Sequence, residues 1–219
     1  TPNASVNVDA GFSIMTYTGA NVGTGNVSTI PHGLSQAPEL IIIKGRNVGT
    51  GWATLYNDGT NSYAMRLNSN GTNDDTNKNT FFGNGSSHTA PTSSLFTVGH
   101  SDEVNFAHNY LAFCYHSVAG YSKIGKYTGK AGVAEHEVNL GFAPAFVLIK
   151  RTDSSGDWYV FDTTQGIVSG NDPYWIANGA AQVTGTDYID PHSSGFTITS
   201  SAPAALNASG GKYIYLAFA

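Results

Sequence analysis

Four neighbouring residues, Asn171, Asp172, Tyr174 and Trp175, carry the chemistry of a sugar site. An indole or phenol face stacks on the apolar side of a pyranose, and adjacent amide and carboxylate groups take its hydroxyls. The structural alternative is a Trp175 ring packed into a core. Glu135 and Glu137 fall on one face of an extended segment, and glycosidases need two facing carboxylates about 5 to 10 Å apart. They flank His136 in a loop or edge strand, however, and a solvated face accounts for them equally. Ser122 stands in Gly120-Tyr121-Ser122-Lys123-Ile124-Gly125, whose spacing is wrong for a nucleophile elbow. The chain is therefore not expected to be an enzyme, and no catalytic residue is assigned.

Metal chemistry has two starting points. Cys114 and His116, with His108 at the same parity, could begin a metal site on one strand face; a satisfied histidine and a buried thiol explain them too. Asp75-Thr76-Asn77-Lys78-Asn79 opens like a calcium loop, but its sixth place is not Gly and Ser86 stands where the closing Glu belongs. No cofactor is expected, and a weak calcium site is the most this pattern supports.

The elements that must hold these residues are repeated. Pro38, Lys44 and Trp52 recur as Pro144, Lys150 and Trp158, each displaced by 106 positions, and Tyr110-Leu111-Ala112-Phe113 recurs as Tyr215-Leu216-Ala217-Phe218. A residue present in both copies is expected to serve the fold, and one found in a single copy is free for another role. Trp52 and Trp158 belong to the first kind, and Trp175 to the second. Helical periodicity is absent, and short alternating or fully apolar runs lie between Gly, Asn, Asp and Pro clusters. The expectation is an all-β protein, an antiparallel β-sandwich or jelly-roll-like fold built from two repeated halves. Strands are expected near residues 12–17, 40–44, 52–56, 63–67, 95–98 and 109–115, and near 121–127, 146–150, 158–161, 174–177, 196–199 and 212–219. Leu40-Ile41-Ile42-Ile43 and Phe146 to Ile149 have no polar side, so each should lie mid-sheet, covered on both faces. Residues 1–10 read as a polar lead-in, 11–118 as the first repeat and 119–219 as the second. A joint of only Ser117, Val118 and Ala119 suggests copies that pack closely or share sheets. Residues 57–91, rich in Asn, Asp, Gly, Ser and Thr, read as long exposed loops.

Composition excludes several classes. Charged residues make up 11% of the 219-residue chain and the net charge is -5, so there is no basic stripe for nucleic acid. Aliphatic runs of about five residues are too short to span a bilayer, and no charged-then-apolar signal opens the chain. A soluble protein is expected. Thr1 in place of an initiator Met fits a processed chain or a fragment. Cys114 has no intrachain partner and reads as a small buried filler, matched in the second copy by Ala219. The Asn-x-Ser/Thr triplets at Asn3, Asn26, Asn70, Asn84 and Asn207 read as incidental.

Several motifs resemble a repeat of tail-fibre and other appendage proteins of tailed bacteriophages, especially marine ones. In the first copy these are Gly11-Phe12-Ser13, Tyr17-Thr18-Gly19, Pro31-His32-Gly33-Leu34 and Ala37-Pro38 leading to Ile41-Ile42-Ile43-Lys44. In the second they are Gly120-Tyr121-Ser122-Lys123, Tyr127-Thr128-Gly129, Ile149-Lys150-Arg151-Thr152-Asp153, Gly156-Asp157-Trp158 and the closing stretch Asn207 to Tyr215. The resemblance implies a virion-surface or fibre module, often one part of a longer chain, and not an enzyme. Its implied partners are copies of itself (a trimer if it is a fibre), other virion proteins and a host-surface glycan. The Asn57 to Ala90 region departs from the compact pattern, and variable loops on a fixed sandwich are where attachment specificity is expected. A secreted carbohydrate-binding module or lectin of a marine bacterium would use the same sandwich and the same aromatic platform, and is the rival reading.

Overall fold

The computed structural model describes residues 3–133, 135–180 and 182–219. The chain forms two compact units, one of residues 1–67 with 73–116, the other of residues 68–72 with 117–219. No helix among the described residues is long and apolar enough to cross a membrane.

The first unit contains β1 (Asn3–Asn7), β2 (Phe12–Thr18), β3 (Ser28–Pro31), β4 (Leu40–Gly45), β5 (Trp52–Asn57), β6 (Ser62–Arg66), α1 (Asp75–Phe81), β7 (Leu95–Val98) and β8 (Asn109–Tyr115). Its large antiparallel sheet runs β1-β2-β8-β4-β5-β6, and β3 pairs with β7 in a second sheet. The second unit contains β9 (Ser122–Thr128), β10 (Glu135–Asn139), β11 (Phe146–Arg151), β12 (Trp158–Asp162), β13 (Tyr174–Ile176), β14 (Gln182–Val183), β15 (Ile189–His192), β16 (Gly195–Thr199), α2 (Ala204–Asn207) and β17 (Lys212–Phe218). Its large sheet runs β9-β17-β11-β12-β13-β14, and its small sheet runs β10-β16-β15. With β1, β14 and β15 set aside, the two topologies are the same. The duplication is one of whole sandwiches: each described sheet draws on one copy alone, so sheets are not shared.

Each core lies between a large and a small sheet. In the first unit Met15, Ile41, Ile43 and Leu55 meet Ile30, Phe96 and Val98; in the second Val147, Ile149 and Phe161 meet Val138, Phe196 and Ile198. The aliphatic runs lie mid-sheet as expected, β4 between β8 and β5 and β11 between β17 and β12, with Leu40, Ile42 and Leu148 buried on the side away from these cores. Pro38 and Pro144 precede them, where a missing N–H removes no ladder bond. Asn3–Asn7, expected as a lead-in, is an exposed edge strand paired with β2; Thr1 and Pro2 lie outside the described residues. All five of its residues are exposed, so the pairing left no hydrophobic pattern to read.

The pairing corrects one alignment made from sequence. Gly45 opposes Tyr110 while Arg151 opposes Tyr213, so Tyr110 corresponds to Tyr213, and the Tyr-Leu-Ala-Phe match is slipped by two residues. A slip of two keeps every side chain on its face, which is why the sequence conceals it. Cys114 therefore corresponds to Ala217, not Ala219; both are fully buried, and burial pushes the Cys114 thiol pKa up. Hydrogen bonds set the true register. Tyr110 Oη donates to Asp102 O (2.7 Å) and accepts from Phe106 N (3.0 Å); Tyr213 Oη donates to Ala204 O (2.6 Å) and accepts from Ala208 N (2.7 Å). Each ring stacks on a second tyrosine, Tyr17 or Tyr127, whose hydroxyl donates to Val104 O or Leu206 O.

Lys44 and Lys150 oppose Trp52 and Trp158 in register, as the repeat implies. Lys150 is fully buried, donates to Arg151 O and Gly156 O (both 2.8 Å) and to Asn70 O (3.4 Å), and lies 6.0 Å from the centre of the Trp158 ring. Residues 68–72, which leave the first repeat's chain, thus help close the carbonyl cage over this ammonium. Burial pushes its pKa down to about 8.

The stretch expected as loops is partly ordered into α1. Asp74 Oδ1 accepts from Thr76 N (2.8 Å) and Asn77 N (3.1 Å), capping the helix, and Phe81 and Phe82 anchor it in the core. Seven residues are too few for a helical period to show in sequence.

Candidate functional site

Of the four sugar-site candidates, the structure exposes Asn171 and Trp175 and buries the other two. Trp175 is 40% exposed, where its first-unit counterpart Met65 is 2% exposed. The ring is therefore not a core ring, and it opposes Val160 and Gln182 on the neighbouring strands. Tyr174, one residue back, faces the other side of β13 and packs against Tyr159, Phe161 and Tyr188. Asp172 is fully buried, and its Oδ2 accepts from Tyr188 N (3.0 Å) and Ile189 N (2.9 Å). Four adjacent residues looked like one site because sequence proximity hides the alternation of a strand and the inward turn before it. Burial removes Asp172 and Tyr174 from such a site, and leaves the Trp175 ring and the Asn171 amide exposed.

Asp172 has a measurable consequence. Its Oδ1 is buried without a hydrogen-bond partner, and burial, with smaller contributions from Asp190 and Asp187, raises its pKa to about 6. A carboxyl with a raised folded pKa stabilises the fold at acid pH, and loses that contribution as pH climbs from the unfolded value through about 6. Asp172→Asn keeps an acceptor for the two amides and cannot ionise. It is expected to raise thermal stability above pH 6, by an amount of order 1–3 kcal/mol, and to match the parent near pH 4. Melting curves across that range check this, and equal differences at both ends would refute the account.

The metal and acid–base candidates are dispersed. Cys114 belongs to the core cluster, and among the described residues no three His, Cys, Asp or Glu side chains come close enough to hold a metal ion. Asp75, the first position of the calcium-like loop, is in α1, paired to Lys78 at 2.7 Å. Asn84, at the far end, accepts from Ser86 N and Ser87 N and closes a tight turn. Glu137 is exposed on β10, and the side chain of Glu135 lies outside the described residues. His136 between them is buried against Asn207. Asn207 itself is 1% exposed, which removes it as a glycan acceptor.

A cleft opens beside β6 and α1, and Asp75, Lys78 and Asn79 of the calcium-like stretch are among its lining residues. Its volume is about 570 Å³, and Asn57, Asn61, Tyr63 and His88 also line it. The walls are held by their own hydrogen bonds. Asp58 Oδ1 accepts from Thr60 N (2.9 Å) and Asn61 N (2.6 Å), Asn73 Oδ1 accepts from Ala64 N (2.9 Å), and Tyr63 stacks on Tyr56 with centroids 5.8 Å apart. His88 Nδ1 lies 3.0 Å from Phe82 O, so it carries the proton and donates; burial lowers the histidine pKa and keeps the ring neutral. The remaining Nε2 is an acceptor, buried and without a partner. The sequence signal for this place was the stretch of the first copy that is richer in Asn and Asp than the matching stretch of the second. The individual lining residues were not legible, since they converge from segments about 30 residues apart.

Against known proteins, the sequence matches no curated protein. Among solved structures it is similar to the major capsid protein P2 from bacteriophage PM2, with a TM-score of 0.27 and 12% identity over 95% of this chain and 98% of that one. The model of a family described as a domain of unknown function, DUF7483, matches residues 1–219, and the protein belongs to that family.

Proposed function

We propose that this protein is a non-enzymatic structural module of a phage particle, part of a tail fibre, knob or head decoration, whose loops attach to a host surface. The observation that carries the reading is a scaffold present twice with polar elaboration concentrated on one copy. Each unit is a sandwich of the same topology, and the 57–90 segment of the first supplies the variable part. The resemblance of Gly11-Phe12-Ser13, Pro31-His32-Gly33-Leu34 and their second-copy partners to appendage repeats supports it. Partners on this reading are further copies of the chain, three in a fibre, and neighbouring virion proteins, at the particle surface. Immuno-gold electron microscopy of the native source, with an antibody against this chain, is expected to label particles at a fixed, symmetric position. Label on cells or soluble debris with bare particles would overturn the proposal.

One observation favours the rival, a secreted carbohydrate-binding module: the exposed Trp175 ring at the side of a rigid sheet. That reading predicts label off the particles and glycan binding that depends on Trp175.

A further inference from the structure

We infer that the cleft between β6 and α1 is a binding site for a neutral sugar, a hexose or N-acetylhexosamine at the end of a surface glycan. This deepens the attachment role proposed above and rests on it for its biological meaning, though not for its chemistry.

The argument starts from what the cleft offers. Asn61 and Asn79 bring amides, Thr60 and Ser62 bring hydroxyls, Lys78 brings an ammonium, and Tyr63 provides an aromatic ring. Amides and hydroxyls both donate and accept, which suits sugar hydroxyls that do the same. His88 Nδ1 donates to Phe82 O and fixes the ring in the cleft wall, while its Nε2 is enclosed by the protein.

Charge selects the class. The Lys78 ammonium is neutralised by Asp75 at 2.7 Å, and His88 is neutral, so nothing in the cleft calls for an acidic sugar or a phosphate. Size agrees: about 570 Å³ is within the range of small-ligand sites and holds one or two sugar rings. Rigidity agrees as well. The turn at Asp58, the Asn73 bond to the β6 backbone and the Asn84 turn fix the walls before any ligand arrives, which lowers the ordering cost of binding.

Placement separates this cleft from the fold's own needs. Its residues belong to β6, α1 and the loops around them, the part of the first unit where the second has β14 and β15 instead. It is also distinct from Trp175, which belongs to the other unit.

Saturation-transfer NMR on the full chain tests the inference, using the methyl glycosides of glucose, galactose, N-acetylglucosamine and N-acetylneuraminic acid as probes. Ring protons of at least one neutral glycoside should receive saturation, and those of N-acetylneuraminic acid should not. Tyr63→Ala and Asn61→Ala should each weaken the signal by roughly tenfold in affinity, the loss of about one contacting group, and Trp175→Ala should leave it unchanged. Asn61 is exposed, so its variant separates binding from folding if Tyr63→Ala unfolds the chain. The inference is overturned by silence from every neutral glycoside, by signals that survive Asn61→Ala, or by loss on Trp175→Ala. Gold on particles with no sugar signal would sink the cleft and leave the virion reading standing. A sugar signal with bare particles would do the reverse.

Discussion

Gly125→Met destabilises the second unit, and adding Tyr215→Ala restores most of the loss. The basis is a volume exchange between the two copies. In the first unit Met15 opposes Ala112, while at the matching place in the second Gly125 opposes Tyr215. Large against small in one copy is small against large in the other, and each pair fills its part of a core at native density. A Cβ on Gly125 would lie 2.6 Å from Tyr215 Cζ, so no longer side chain fits while that ring is present. Overpacking of this kind costs about 1–3 kcal/mol. Tyr215→Ala alone leaves the space of a phenol beside Phe196, whose ring it meets edge-on at 6.0 Å, and costs about 3–5 kcal/mol by comparison with other aromatic truncations. The double variant carries the first unit's solution, and its loss should be smaller than that of Tyr215→Ala by more than about 1 kcal/mol, a coupling that only contacting residues show. Urea unfolding gives the energies, and peptide-resolved hydrogen exchange shows which unit opens. Additive losses would mean that the pairs are not equivalent.

Replacing either buried asparagine near the end of each repeat by leucine should cost about 2–3 kcal/mol through unpaired backbone groups. Asn105 Oδ1 accepts from Ala20 N (2.9 Å), and its Nδ2 donates to Ser28 Oγ (3.2 Å) and Val98 O (3.3 Å). Asn207 Oδ1 accepts from Lys130 N (2.8 Å), and its Nδ2 faces Thr199 O at 3.5 Å. Both are 1% exposed, and they tie the turns after β2 and β9 to the ends of the small sheets. The better-bonded Asn105 should show the larger loss. Asn105→Asp sharpens the test, because a carboxylate has no donor for Val98 O. Its penalty should be large at neutral pH and shrink in acid, where a protonated carboxyl can donate again. Equal stability of parent and Asn105→Leu in urea would show that these bonds are replaced by water.

These asparagines mark the limit of what could be read in advance. The all-β class, the repeat and the mid-sheet positions of Leu40 to Ile43 and Phe146 to Ile149 follow from local chemistry: runs without a polar face, bounded by Pro and Gly, must be covered on both sides. The Lys44 and Trp52 pair and its second-copy image were equally legible, since equal spacing preserves strand register. The two-residue slip of Tyr213 was not, because pleat parity is the same at Tyr215 and the deciding bonds run to carbonyls of Ala204 and Asp102 that no local pattern announces. The polar edge strand at Asn3–Asn7 and the short α1 left no periodicity to detect. The candidate site divides in the same way. An unmatched Trp175 was visible in the chain, but its exposure, the burial of Asp172 and the convergence of Asn61, Lys78 and His88 on one cleft depend on which segments fold against each other. Pairing between distant strands, not neighbouring residue types, sets those positions.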